Sequence, residues 1–254
     1  MTSTTRLAYE SLGKHFGGVD VFEDVSFTVP AGTVTALIGP NGAGKSTLIN
    51  LTCGVFKAER GRICKDGVAL DLARPSDALG HSLARSFQDV RLFGTLTVLE
   101  NVLVAMPDQR GDAPWQLLGS RWKQDERRNR ATALELLERL GLADDAGRVA
   151  AGIPFGTQKL VALARAVATG ADTLLLDETT TGLELTRIPL VLEFLRALRA
   201  QGRTILLVEH NMDVVAGVAD QVVVLHGTVI ASGSAESVLH DEHVIREYLG
   251  RIYA

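Results

Sequence analysis

Eight consecutive residues have the types and spacing of a loop that binds phosphate groups. The run Gly39-Pro40-Asn41-Gly42-Ala43-Gly44-Lys45-Ser46 matches G-x-x-x-x-G-K-[ST] at every fixed position. Glycines allow backbone N–H groups to approach an anion without a Cβ in the way. Lys45 would reach the β- and γ-phosphates of a nucleotide, and Ser46 would ligate Mg²⁺. The sequence therefore predicts nucleotide binding by Gly39, Pro40, Asn41, Gly42, Ala43, Gly44, Lys45, Ser46 and Thr47.

Two acids directly follow a short apolar run much later in the chain. Asp177 and Glu178 come after Leu174–Leu176, where a parallel strand would end, and ligands bind at the carboxyl ends of strands in open α/β sheets. Alone, the pair would be read as solvated acids. Together with a phosphate loop, Asp177 is predicted to hold Mg²⁺ and Glu178 to orient or deprotonate the attacking water.

The segments around these residues predict a mainly parallel α/β sheet. Thr33–Ile38 reads as a buried strand before the loop, and a helix is expected after it through about Leu51. Unalternating apolar runs that indicate strands buried on both faces are Thr173–Asp177, Thr204–Val208 and Gln221–Leu225, with a helix between Thr186 and Ala200. This alternation of strand and helix favours parallel pairing.

Two further segments have a different character. Short apolar stretches between Leu7 and Val29, ended by Pro30-Ala31-Gly32, predict two or three antiparallel strands. Between Leu96 and Gly141 the pattern becomes helical, with Leu134, Leu137 and Leu140 expected on one face, which indicates an inserted helical lobe.

Composition narrows the class of protein. The 254 residues are 46% hydrophobic and 22% charged, as in an ordinary globular domain, and the net charge of -4 argues against a general nucleic-acid binder. Cys53 and Cys64 lack the spacing of a zinc site and are expected to be reduced thiols. Met1–Arg6 has no apolar segment of a secretory signal, and no run approaches the roughly 20 apolar residues of a membrane span. We therefore expect a cytoplasmic protein whose membrane role, if any, requires a partner.

Further short motifs follow the order found in the ABC ATPase family, which the chain resembles over nearly its whole length. Phe16 resembles the aromatic residue that stacks on adenine, Gln88 the glutamine that contacts Mg²⁺ near the permease, and His210 the histidine that contacts the γ-phosphate. Gly182-Leu183-Glu184 stands where that family's D-loop does. Each motif is weak alone, and their joint order carries the resemblance. It implies ATP and Mg²⁺ as ligands and Glu178, His210 and Lys45 as the catalytic residues.

The stretch from Phe87 to Val102 is similar to "FQxxRLFxxLTVxENV" of the ATP-binding subunits of branched-chain amino-acid importers, and Ile245–Gly250 is similar to their ending. The resemblance implies one ABC ATPase domain over 1–254. Its P-loop NTPase (RecA-like) α/β core with an antiparallel β subdomain would span 1–87 and 167–254, and its helical subdomain 88–166. The implied partners are transmembrane permease subunits, a second ATP-binding subunit (identical or different) and an upstream solute-binding protein. The chain would then lie on the inner face of the cell membrane, importing branched-chain amino acids, urea or short amides, without nucleic acid.

The segment that matches the family's signature loop departs from its usual L-S-G-G-Q. Here it reads Ile153-Pro154-Phe155-Gly156-Thr157, in which only Gly156 is unchanged. In the family this loop binds the γ-phosphate held by the opposite subunit, and Pro154 has neither the hydroxyl nor an N–H. We expect an asymmetric dimer in which this chain donates a weak signature loop. A non-hydrolysing structural partner and a soluble ABC ATPase remain as alternatives.

Overall fold

A computed structural model describes residues 4–72, 74–86, 90–107 and 120–246 of the chain. Within them the strands are β1 (Thr5–Phe16), β2 (Val19–Pro30), β3 (Val34–Ile38), β4 (Arg60–Lys65), β5 (Val68–Ala69), β6 (Leu83–Arg85), β7 (Thr173–Asp177), β8 (Thr204–Val208), β9 (Gln221–His226) and β10 (Thr228–Ser234). The α-helices there are α1 (Lys45–Thr52), α2 (Asp77–Gly80), α3 (Val98–Leu103), α4 (Ser120–Arg139), α5 (Phe155–Ala168), α6 (Ile188–Ala200), α7 (Met212–Val218), α8 (Ala235–Leu239) and α9 (Glu242–Val244).

The strands form a sheet with the order β5-β4-β1-β2-β10-β9-β3-β8-β7-β6. Its parallel part is β9, β3, β8, β7 and β6, and every residue of β3, β7 and β8 is buried. Unalternating apolar sequence is what strands covered on both faces require. The predicted fold class, a mainly parallel core with an N-terminal antiparallel subdomain, is confirmed.

The register of the parallel strands decides which residues meet at the edge of the sheet. Leu37 of β3 pairs with Val208 of β8, and Val208 pairs with Asp177 of β7. These three residues form one row across the sheet. The segments that follow these strands, which begin at Gly39, Glu209 and Glu178, therefore leave the sheet at the same edge.

By its contacts the chain divides into two compact units. The first comprises Met1–Arg85, Asp172–Glu178 and Leu195–Ala254. Its main core lies between the antiparallel strands, α1 and the parallel sheet, and includes Leu7, Leu37, Leu48 and Leu206, each with no exposed surface. Burying such a side chain contributes about 1.5–3 kcal/mol, so this core fixes α1 against the sheet.

A buried hydroxyl pair also ties α1 to the antiparallel strands. Tyr9 of β1 stacks on Phe27 of β2 with ring centroids 4.3 Å apart, and its hydroxyl lies 3.0 Å from that of Thr52 at the end of α1. Burial raises the pKa of Tyr9 well above its usual value, so this hydroxyl is a neutral hydrogen-bonding group in the core.

The second unit comprises Ser86–Ala171 and Thr179–Phe194. In it α3, α4 and α5 pack on one another. Thr97 and Glu100 form a capping box at the start of α3, which stabilises this short helix. Leu137 and Leu140 are fully buried as expected, but Leu134 is 38% exposed because the buried face of α4 runs through Ala133 instead.

No helix in the part of the chain that the structure describes is both long and apolar enough to cross a bilayer.

Candidate nucleotide-binding site

The predicted phosphate loop connects β3 to α1, and its backbone explains its glycines. Gly39, Gly42 and Gly44 have φ values of 153°, 82° and 93°, which residues with a Cβ rarely adopt. A Cβ at Gly39 would overlap the carbonyl oxygen of Leu225, whereas one at Gly42 would have no atom within 4 Å. The backbone at Gly42 therefore borders open space, as an anion-binding loop requires.

Lys45 is only 6% exposed and points back over the loop. Its Nζ donates hydrogen bonds of 2.8 Å to the carbonyl oxygens of both Gly39 and Pro40. Burial lowers the pKa of Lys45, and the negative charges of Glu178 and Asp177 oppose that shift. The ammonium group is thus held beside the loop by acceptors that an entering phosphate oxygen can replace.

The start of α1 adds a second feature that suits an anion. Its N-cap is Gly44, which offers no side chain to the first N–H groups, and no acid lies in the first turn. The N–H groups at a helix start have no partner within the helix, and the helix dipole makes that end positive. Ser46 lies in this turn and is partly buried, so its hydroxyl can serve a cation next to the anion.

Asp177 and Glu178 lie where the register requires, at the end of β7. Asp177 is 2% exposed. Burial raises the pKa of Asp177, the nearby Arg85 charge lowers it, and Glu178 raises it further. Glu178 has a φ of 51°, and its N–H donates to the carbonyl of Val208 at 2.9 Å.

His210 follows β8, the strand next to β7. Its Nε2 lies 3.1 Å from Oε1 of Glu178. Asn211 then caps α7 by accepting hydrogen bonds from two N–H groups, which fixes the chain directly after His210. The structure therefore brings together the histidine and the acid that the sequence predicted from separate motifs.

Two residues near Asp177 had no role in the sequence prediction. Nη2 of Arg85, the last residue of β6, lies 3.3 Å from Oδ2 of Asp177, and Nη1 of the same arginine donates to Oδ1 of Asn50 on α1. The Arg85 side chain is 10% exposed and that of Asp177 only 1%. A charged residue that directly follows the apolar pair Leu83-Ala84 was the available signal, because a buried arginine needs a partner.

Phe16 ends β1 and is 42% exposed. Its ring meets Phe56 edge-on at 5.0 Å, and Nζ of Lys14 lies 4.8 Å from its centroid. Phe16 pairs with Val19 of β2, and the position of a Cβ on Gly44 would lie 2.9 Å from Cγ1 of Val21 on the same strand. The hairpin thus carries a half-exposed aromatic ring in the neighbourhood of the phosphate loop.

In the second unit, the segment matching the signature loop begins α5. Pro154 is the N-cap and its side chain makes no capping hydrogen bond. Phe155 is 55% exposed, and Thr157 is 5% exposed. A Cβ on Gly156 would lie 2.9 Å from the carbonyl oxygen of Gly182, so only glycine fits where this segment approaches Gly182. Gln88, the remaining predicted Mg²⁺ contact, lies outside the described residues.

The residues present fit a nucleotide triphosphate with Mg²⁺. The loop offers uncapped N–H groups, open space at Gly42 and a buried ammonium group at Lys45. Ser46 and Asp177 are the oxygen ligands that Mg²⁺ prefers. The site can hold a phosphate chain and place a carboxylate and an imidazole at the same sheet edge.

Comparisons with known proteins agree with this chemistry. The sequence model of a family described as "ABC transporter" matches residues 22–181. The "High-affinity branched-chain amino acid transport ATP-binding protein LivG" of Salmonella typhimurium is 36% identical over 250 residues, covering 96% of this chain and 97% of the relative.

Solved structures extend the likeness to the fold. A nucleotide-free ATP-binding cassette from an ABC transporter has a TM-score of 0.81 at 31% identity, covering 98% of this chain and 99% of its own. The ADP conformation of MJ1267, another such cassette, has a TM-score of 0.80 at 32% identity and covers 98% of both chains.

Proposed function

This chain belongs to the ABC transporter family as an ATP-binding subunit that hydrolyses ATP, and we propose that it powers the import of branched-chain amino acids or related small polar solutes. The similarity to LivG over 96% of the chain carries the proposal. The proposed partners are membrane permease subunits, a second ATP-binding subunit and an upstream solute-binding protein. Through the permease the chain would lie on the inner face of the membrane.

We further propose roles for the residues at the site. Lys45 exchanges the carbonyl oxygens of Gly39 and Pro40 for β- and γ-phosphate oxygens, while loop N–H groups hold the phosphate chain. Phe16 stacks on the adenine ring. The bound Mg²⁺, held by Ser46, Asp177 and Gln88, would neutralise charge on the phosphates.

The chemical step is assigned to the residues after β7 and β8. Glu178 orients the attacking water and accepts its proton, and His210 contacts the outermost phosphate. The 3.1 Å contact between His210 and Glu178 supports this pairing. Pre-positioned charge provides most of the rate enhancement in phosphoryl transfer, so small displacements of either group should be costly.

Two variants separate binding from hydrolysis. Lys45→Ala should weaken binding of MgATP by about 10²-fold, because it removes the buried ammonium group from the loop. Glu178→Gln should bind MgATP normally but hydrolyse it at least about 10²-fold more slowly, because the amide cannot accept a proton. Calorimetry and phosphate release measure the two effects.

Glu242→Gln is the matched control, since Glu242 is exposed and its ion pair with Arg246 is 4.0 Å long. The control should behave as the wild-type protein in both assays. Wild-type turnover by Glu178→Gln would contradict the assignment of the base.

The transport role needs the permease. Reconstituted with permease subunits of a branched-chain amino-acid importer, the wild-type chain should drive ATP-dependent uptake of labelled leucine, and Glu178→Gln should not. ATP hydrolysis that is unaffected by any permease would instead favour a soluble ATPase.

A further inference from the structure

Arg85 joins two elements that carry the proposed metal-holding residues. Its guanidinium group contacts Asp177 at the end of β7 through Nη2 and Asn50 of α1 through Nη1. Asn50 lies four residues after Ser46, and residues four apart share one face of a helix. Arg85 therefore contacts Asp177 directly, and through Asn50 it contacts the face of α1 that also carries Ser46.

The bridge is buried, so it is a defined contact rather than a solvated surface pair. The side chains of Arg85 and Asp177 are 10% and 1% exposed. Exposed ion pairs are weak because water and salt screen them, whereas a buried arginine and carboxylate hold each other's geometry.

We propose that Arg85 is a positioning residue for the metal site: its planar fork sets the Asp177 carboxylate relative to Ser46, and so sets the affinity for Mg²⁺ in the ATP-bound protein. This inference rests on the proposed function. Arg85 is not a catalytic residue, because it acts through Asp177 and α1. Groups that orient metal ligands typically change metal affinity or activity by about 10–100-fold when removed.

The fork geometry, rather than the charge alone, makes an arginine necessary. Two different nitrogens of one rigid plane reach Asp177 and Asn50 together. A lysine carries the same charge on a single nitrogen at the end of a flexible chain, so it cannot reproduce a planar two-armed contact.

Its place in the chain gives this bridge a further significance. Arg85 is the last residue of the first unit before the chain enters the second at Ser86, and Asp177 lies one residue before another crossing, at Glu178 and Thr179. The bridge thus joins two of the points where the chain passes between the units.

The test uses Arg85→Lys in the full chain and measures the Mg²⁺ dependence of ATP binding and hydrolysis. We expect the half-saturating Mg²⁺ concentration to rise about 10-fold or more. We expect ATP affinity in EDTA to stay within about twofold, because the phosphate loop is untouched. Turnover by Arg85→Lys should be closer to the wild-type value at saturating Mg²⁺ than at low Mg²⁺.

Asn50→Ala tests the other arm and leaves the arginine in place. It should shift the Mg²⁺ dependence in the same direction but less. The double variant should add little to Arg85→Lys, because residues of one network are not additive. Should Arg85→Lys fail to fold, Asn50→Ala alone decides, and an unchanged Mg²⁺ dependence there overturns the proposal.

Arg6→Lys is the matched control. Arg6 contacts Asp172, just before β7, at 3.4 Å and Asp66 at 2.8 Å, so it forms a more exposed arginine–carboxylate pair beside the other end of the same strand. The Arg6→Lys variant should leave the Mg²⁺ dependence of ATP binding and hydrolysis unchanged.

A wild-type Mg²⁺ dependence in Arg85→Lys, or an equal shift in Arg6→Lys, would mean that Arg85 only stabilises the fold. If the wild-type chain takes up no ATP with Mg²⁺, the proposed function fails and this inference fails with it. If the wild type binds and Arg85→Lys matches it, only this inference fails.

Discussion

At the scale of single residues, Glu178 combines a proposed chemical role with an unfavourable backbone. Its φ of 51° lies in the left-handed region, which costs a residue with a Cβ about 1–2 kcal/mol. The backbone bond from Glu178 to Val208 and the contact with His210 hold this conformation. Strain of this kind is concentrated at functional sites.

This strain predicts an unusual order of stability for two variants that both remove the carboxylate. Glu178→Gly should be more stable than Glu178→Ala by about 1 kcal/mol, because glycine adopts a positive φ without steric cost. Urea unfolding of the two proteins measures the difference. In strands and helices a glycine variant is normally less stable than the alanine variant. If Glu178→Ala is as stable as Glu178→Gly or more stable, the backbone at Glu178 is not strained.

The site could be predicted in part from single residues. The phosphate loop and the two acids at the end of β7 follow from spacing and from the apolar run before them, because both are local signals. Arg85 and Asn50 could not be assigned, since the bridge depends on the tertiary placement of α1 against β6 and β7. Gln88 stays a prediction.

At the scale of elements, the turn from β3 into the loop and the loop itself make different demands on glycine. Gly39→Ala should destabilise the protein by more than about 3 kcal/mol, because its Cβ would overlap the backbone of β9 at Leu225. Gly42→Ala should cost only about 1 kcal/mol, since it meets strain but no neighbouring atom.

The same pair should differ in nucleotide binding. Gly42→Ala should fold but bind MgATP more weakly, because its methyl group enters the space beside the loop. Thermal unfolding and calorimetry on both variants check this. Equal stability of the two would show that the approach of Gly39 to Leu225 is not a constraint.

Four parallel strands, β3, β7, β8 and β9, were predictable nearly to the residue, whereas β6 was not predicted. β7 and β8 begin and end where their apolar runs do, because strands buried on both faces leave a continuous hydrophobic signal. The helical lobe was less predictable. The buried face of α4 depends on where α3 and α5 pack, which a spacing of three leucines does not determine.

At the scale of the whole assembly, Pro154 is the departure from the family's signature loop that has the clearest consequence. A serine at this N-cap position would accept a hydrogen bond from the start of α5, worth about 1 kcal/mol. Removing the proline also makes the unfolded chain more flexible, which lowers the free energy of unfolding and offsets much of that gain. Pro154→Ser should therefore change stability by less than about 1 kcal/mol.

The same substitution should raise ATP turnover of the assembled transporter, if this chain donates its signature loop to a site on its partner. Turnover in the reconstituted complex, compared with the isolated chain, is the measurement. Unchanged turnover with unchanged stability would argue that the altered loop already works as it stands.

The order of strands in the sheet also constrains how the chain acquires its shape during synthesis. β3 lies between β8 and β9, whose residues come about 170 to 190 positions later in the sequence. The ribosome must therefore synthesise about 170 further residues before the strand that leads into the phosphate loop finds either neighbour. Such distant parallel pairing is slow and leaves apolar edges uncovered meanwhile. A nascent chain interrupted before residue 204 would carry the whole phosphate-loop sequence with neither neighbouring strand to support it, and would depend on chaperones to stay unaggregated.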